Sequence, residues 1–251
     1  MTPSNARSLA VTTMQKAGII LLVLVFVGCS QIDAPPVTSA QTQTASDGAT
    51  GLIAPTSANE QRWRIDPRTS MALIYTYKGG KLARFGHNHV IAAHALTGTV
   101  ILTETVSGSR FALTIPVSEL SVDEAPLRRR ASAAFDSEPS PEDIAATRTN
   151  MLGERGLHAS AFPLVTITGS VISVDGESAQ LEVLMQIHGQ QRRLQIPARY
   201  SRSGRDLRIV GDFTMQQSDF GITPFSVMLG ALTVLDEVKL EFDLRAMPNE
   251  T

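Results

Sequence analysis

Leu181-Glu182-Val183-Leu184-Met185-Gln186-Ile187 and Glu237-Val238-Lys239-Leu240-Glu241-Phe242-Asp243-Leu244 place apolar residues at every second position, with mostly polar residues between them. Successive side chains of a strand point to opposite faces, so this period puts one face inside and leaves the other in water. A helix would need apolar residues three and four apart instead. Asp175-Gly176 stands just before the first stretch and signals a tight hairpin turn; Ser203-Gly204 signals another. Similar segments recur from Met71 onward: Met71–Tyr77, Leu96–Glu104, Arg110–Pro116, Leu164–Val174, Gln180–His188, Arg192–Tyr200, Asp206–Met215 and Val234–Arg245. About eight antiparallel strands form either a two-layer sandwich or a closed barrel, and closure removes the unpaired edges. An eight-stranded barrel is just wide enough for one small or slender ligand. Its inward residues here are Val, Ile, Leu, Met and Phe, which predicts an apolar lumen suited to a hydrocarbon.

One segment departs from the strand pattern. Ser140-Pro141-Glu142-Asp143 combines a capping hydroxyl, a proline at the first helical position and two acids in the first turn. Ile144, Ala145, Met151 and Leu152 then share a face and Gly153 can end the helix, so about three turns are predicted. The preceding stretch, Asp123 to Pro139, reads as an exposed loop or frayed helix, with Arg128-Arg129-Arg130 on a solvated face.

The N-terminal region carries different information. Ala17 to Val27 is apolar, flanked by Arg7 and Lys16, and too short to span a bilayer, which needs roughly 20 apolar residues. It suits a secretory signal peptide over residues 1–28. Phe26-Val27-Gly28-Cys29 resembles the bacterial lipobox, which implies acylation of Cys29, a membrane anchor on the periplasmic side and, from Ser30, retention at the outer membrane. Residues 29–61 are dominated by Gln, Thr, Ser, Ala, Pro and Gly and read as a flexible tether. The barrel domain is expected over 62–246. Cys29 is the only cysteine, so the chain can form no internal disulfide. A net charge of −2 and a pI near 6.2 argue against general nucleic-acid binding.

His87 and His89 are separated by one residue, so on a strand both rings project from the same face. They could grip one metal ion, with His94, His158, His188, Glu104 or Asp219 as a third ligand. Alternatively they hydrogen-bond across a barrel mouth and brace a loop. Asp123-Glu124 point in different directions in any regular element and make no catalytic dyad. No nucleophile elbow, phosphate-cradling glycine loop or Cys-x-x-Cys pair is present. A non-enzymatic protein is therefore expected.

Trp63-Arg64-Ile65-Asp66-Pro67-Arg68-Thr69-Ser70, Gly86, Ala161-Phe162-Pro163-Leu164-Val165-Thr166-Ile167, Gln186-Ile187-His188-Gly189 and Ser218-Asp219-Phe220-Gly221-Ile222 stand in the order and approximate spacing of the YceI family. The chain resembles that family from about Trp63 to Leu244. Its members are exported bacterial proteins similar to lipocalins, with an antiparallel barrel that holds a polyisoprenoid chain. The resemblance implies an all-β, lipocalin-like barrel of roughly eight strands with one inserted helix, and a long apolar lipid as ligand. The chain departs from the family at Gln217, where many members carry a basic residue, and in a longer loop from Glu124 to Pro139.

From the alternation, the lumen candidates are Leu73, Tyr75, Phe111, Leu113, Ile167, Val183, Met185, Phe213, Phe220, Phe225 and Phe242. Lys81, Arg84, His87, His89 and Arg128, Arg129 and Arg130 are candidates for a head group at the mouth. No cofactor is expected. The competing readings are a His87/His89 metal-binding or redox-associated envelope protein, and a barrel whose lumen is packed solid.

Overall fold

The period-two signal becomes strand β8 (Ser178–Ile187), whose residues alternate between exposed or half-buried and buried along its whole length. The computed structural model describes Ile53, Thr56, Ser57 and residues 59–249; the predicted signal peptide, Cys29 and most of the tether lie outside the described residues. In chain order the strands are β1 (Gln61–Ile65), β2 (Met71–Gly79), β3 (His89–Ala93), β4 (Thr97–Leu102), β5 (Arg110–Pro116), β6 (Ser121–Val122), β7 (Leu164–Asp175), then β8. They continue with β9 (Gln190–Ser203), β10 (Asp206–Gln216), β11 (Ser226–Val227) and β12 (Leu232–Pro248). The helices are α1 (Ala125–Arg128) and α2 (Pro141–Leu152), with several short 3-10 turns.

All pairings are antiparallel, and they close: β1-β4-β5-β7-β8-β9-β10-β12 is a continuous path, and β12 pairs back onto β1. β12 also pairs with β2, β2 with β3, and β3 with β6. The first three staves of the barrel are thus interrupted strands, β1 with β2, β3 with β4, and β5 with β6. Eight staves result, as the alternation predicts. Hydrogen bonding explains the first interruption. Asp66 accepts from the Arg68 amide at 3.1 Å, while the Ser70 hydroxyl donates to the Arg245 carbonyl and accepts from its amide. The break is thereby fastened to β12. The Asp175-Gly176 and Ser203-Gly204 hairpins form where expected, with both glycines at positive φ.

Ser140 caps α2 by accepting from the Asp143 amide at 3.1 Å, and the Asp143 carboxylate accepts from the Ser140 amide in return. Two orphan donors of the first turn are satisfied at once. Ile144, Met151 and Leu152 pack on the core, whereas Ala145 stays exposed, and Gly153 ends the helix in an extended rather than a left-handed conformation. α2 lies at the barrel end where Phe220, Ile222, Ile187, Val117 and Leu120 form a packed plug.

The stretch from Asp123 to Pro139 has the exposed outer side expected of it, but four of its side chains are buried: Asp123, Leu127, Arg128 and Phe135. Leu127 and Phe135 are buried against Tyr75, Val90 and Ala92, so this segment covers the outer face of β2 and β3. It builds a second, external apolar layer.

Candidate functional site

The lumen contains a cavity of about 180 Å³, lined by Ile65, Ala72, Ile74, Val100, Phe111, Leu113, Ile115, Ile167, Val171, Leu181, Val183, Met185, Ile196, Ile209, Phe213, Leu240, Phe242 and Leu244 among others. These come from every stave, so the wall is continuous. Among its lining residues, Thr103, Ser109, Tyr200 and Arg202 all belong to the barrel end opposite α2. There the Tyr200 hydroxyl donates to the Gly176 carbonyl, and Ser109 pairs with Thr103. The Arg202 guanidinium lies 5.0 Å from the Trp63 ring, and Trp63 is fully buried. Val106, in the β4–β5 turn, closes over the same end with φ of 63°. For a β-branched residue that is an uncommon, strained conformation.

Three lumen-facing glycines shape the wall. Gly169 stands opposite Phe111, Gly211 opposite Phe242 and Gly98 opposite Leu113 in the strand registers. A Cβ added at Gly169 would lie 2.5 Å from Phe111 Cζ, and one at Gly211 2.5 Å from Phe242 Cζ. Each ring therefore lies across the glycine of its neighbouring strand, flat against the wall instead of standing into the lumen. A glycine inside a strand otherwise weakens it, and marks a close approach of other atoms. Here the approach preserves the internal space.

Of the sequence candidates, Phe111, Leu113, Ile167, Val183, Met185, Phe213 and Phe242 line the cavity. Leu73 and Tyr75 do not: Ala72 and Ile74 take the inward positions of β2, while Tyr75 packs edge-on to Phe135 at 5.4 Å on the outside. Both faces of β2 are covered, so the larger residues point outward without any polar signal to show it. The Tyr75 hydroxyl donates to Glu241 at 2.9 Å, and burial together with that carboxylate pushes the phenol's pKa up. Phe220 is fully buried, yet in the end plug rather than the cavity wall. Phe225 precedes the β11–β12 hairpin and is substantially exposed.

The head-group candidates lie away from the polar end of the cavity. Lys81 and Arg84 sit in the β2–β3 connection, and Arg129 and Arg130 are outside on the 123–139 segment. Arg128 is the clearest departure from expectation. Only 8% exposed, it pairs with Asp123 and donates to the carbonyls of Asn88 (2.7 Å), Phe135 (2.9 Å) and Ser137 (2.6 Å). An arginine triplet reads as solvated, but this one supplies the fork of donors that ties the outer layer to β3. Arg202, which sequence reasoning passed over, is the cation that does reach the cavity.

His89 Nδ1 lies 2.6 Å from Asp123 Oδ2, and the other oxygen of Asp123 accepts from the Val90 amide. Burial pushes the Asp123 carboxyl up, but the bonds from His89, Val90 and Arg128 outweigh it and hold its pKa below the usual range. His87 Nδ1 meets the Ser137 hydroxyl at 3.1 Å, and His94 Nε2 meets Glu124 at 2.8 Å. His158 and His188 cluster with Phe162 near the plugged end, far along the chain from His87 and His89. Glu104 lies in the β4–β5 turn and Asp219 in the turn after β10. Among the described residues no three His, Cys, Asp or Glu side chains converge as a metal site. Asp123 and Glu124 hold different partners.

A closed antiparallel barrel with an apolar interior is of the lipocalin-like class and suits an apolar ligand. The YceI-like domain model matches residues 63–246, and the chain belongs to that family. Among solved structures it is similar to Burkholderia cenocepacia BcnA, with 14% identity over 73% of this chain and 99% of that one, and a TM-score of 0.56. It also matches a Campylobacter jejuni YceI protein at 12% identity over 64% of this chain and 85% of the other, with a TM-score of 0.47. None of the curated proteins compared with the chain matches it.

Proposed function

We propose that the protein binds and carries or sequesters a long apolar lipid, isoprenoid-like, in its lumen, by burial and without catalysis. The observation that carries this reading is the apolar cavity kept clear by the glycine-facing rings. An apolar cavity of roughly 150 Å³ takes up benzene in another protein, so about 180 Å³ accepts the first segment of a chain as it stands. The remainder enters as flexible, unbranched side chains such as Met185 change rotamer. Burying several hundred Å² of hydrocarbon at ~25 cal/mol per Å² supplies ample driving force, less the cost of ordering the chain. Arg202, which lines the polar end of the cavity, meets the head group. Cys29 acylation would hold the domain at the periplasmic face of the outer membrane.

Native mass spectrometry of protein purified in mild detergent tests the proposal. Solvent-extractable excess mass of several hundred daltons is expected, and ligand-free protein after a gentle preparation counts against it. Val183→Glu places a carboxylate beside hydrocarbon with no partner. The folded variant is expected to lose most of its bound lipid; equal occupancy would remove the lumen from consideration. Cys29→Ala is expected to leave the protein unacylated and release it from membranes; a variant that still fractionates with membranes would show that anchoring is not through Cys29.

A further inference from the structure

We infer that the barrel carries a membrane-docking tip, built from the β2–β3 connection and the β11–β12 hairpin, that rests on anionic lipid bilayers. Leu229 is 108% exposed, Met228 70% and Phe85 65%, with Phe225 and Leu235 also well exposed. The two segments form one tip: the Leu82 amide donates to the Ala231 carbonyl at 2.7 Å, and a Cβ at Gly86 would touch Leu232.

Backbone conformation holds this apolar surface out. Met228 and Leu229 have φ of 52° and 55°, the left-handed region that non-glycine residues rarely adopt. Two successive strained residues carrying large apolar side chains into water are unfavourable twice over, in backbone and in hydration. Contiguous apolar exposure of this kind marks a surface that is covered in use.

Charge selects what covers it. Residues 80–87 and 225–235 contain Lys81 and Arg84 but no Asp or Glu. The Arg84 guanidinium sits 4.5 Å over the Phe85 ring, so cation and apolar group are presented together. The nearest acid in sequence, Asp236, is turned away to accept from the Ser218 amide and hydroxyl. Apolar side chains that enter the acyl boundary, beside cations that meet anionic head groups, are the two terms of interfacial membrane binding. This surface is independent of what the lumen holds.

Leu229→Trp tests it in the full chain. Leu229 touches solvent on all sides, so the change leaves the core intact, and the single native Trp63, buried near the far end of β12, serves as an internal reference. The difference in emission between variant and wild type is measured in vesicles of phosphatidylcholine and phosphatidylglycerol with brominated acyl chains. The tryptophan at 229 is expected to shift to the blue and lose at least half its emission, whereas Trp63 is unchanged. Adding Lys81→Glu and Arg84→Glu is expected to restore most of that emission. Equal emission in brominated and plain vesicles overturns the inference. So does a blue shift that grows with protein concentration without vesicles, which would make a second copy of the chain the occupant.

Discussion

Replacing Arg128 with alanine is expected to destabilise the protein by about 3 to 5 kcal/mol, the range for removing one partner of a buried ion pair. Asp123 has no exposed side-chain surface, and without Arg128 its carboxylate keeps only the His89 ring and the Val90 amide. The carbonyls of Asn88, Phe135 and Ser137 lose their donor at the same time. Chemical denaturation of variant and wild type measures the difference; a loss under about 1 kcal/mol, the scale of an exposed ion pair, would contradict the burial argument. Arg129→Ala, one residue away and exposed, serves as the control and should change little.

The same network sets an acid limit. Because the folded Asp123 pKa lies below its unfolded value, its contribution is complete above about pH 3.9 and is lost as pH falls through the lower folded value. Wild-type stability should therefore decline on acidification more steeply than that of Asp123→Asn, which begins less stable at neutral pH. Parallel curves would show that Asp123 does not report the network.

How far the sequence discloses this arrangement depends on what each strand faces. β8 and most of β10 and β12 have one wet face, so alternation assigns their inward residues, and Val183, Met185, Phe213 and Phe242 fall on the cavity as read. β2 is covered inside by the lumen and outside by Leu127 and Phe135, so polarity carries no information about its face, and Leu73 and Tyr75 invert. β1, β3 and β6 escape because interrupted staves are too short to show a period; β3 also begins inside the polar run His87-Asn88-His89. α2 is legible from local chemistry alone, since its capping box needs no tertiary partner. The Arg128 network is illegible for the opposite reason: its acceptors are backbone carbonyls from separate segments, which leave no trace in residue identity. The wall glycines were readable in principle, as glycines within apolar strands, but only the register shows which ring lies over each.

Those glycines lead to the prediction with the largest expected effect on binding. Gly211→Ala places a methyl 2.5 Å from Phe242 Cζ and 2.7 Å from the Pro197 carbonyl; Gly211 is held in register against Phe242 on β12, so the ring gives way more readily than the ladder. Phe242 then turns off the wall into a cavity of only about 180 Å³, which a displaced phenyl ring largely fills. Overpacking of this kind costs about 1 to 3 kcal/mol, small enough for the barrel to fold. Bound lipid should fall to a small fraction of the wild-type level by native mass spectrometry. Pairing Gly211→Ala with Phe242→Leu relieves the contact with the ring and leaves only the contact with the Pro197 carbonyl, common to both variants, so occupancy should recover because the shortened side chain again leaves the lumen clear. If the single variant retains full occupancy, or the pair fails to recover it while remaining folded, the flat ring over Gly211 is not what keeps the lumen open.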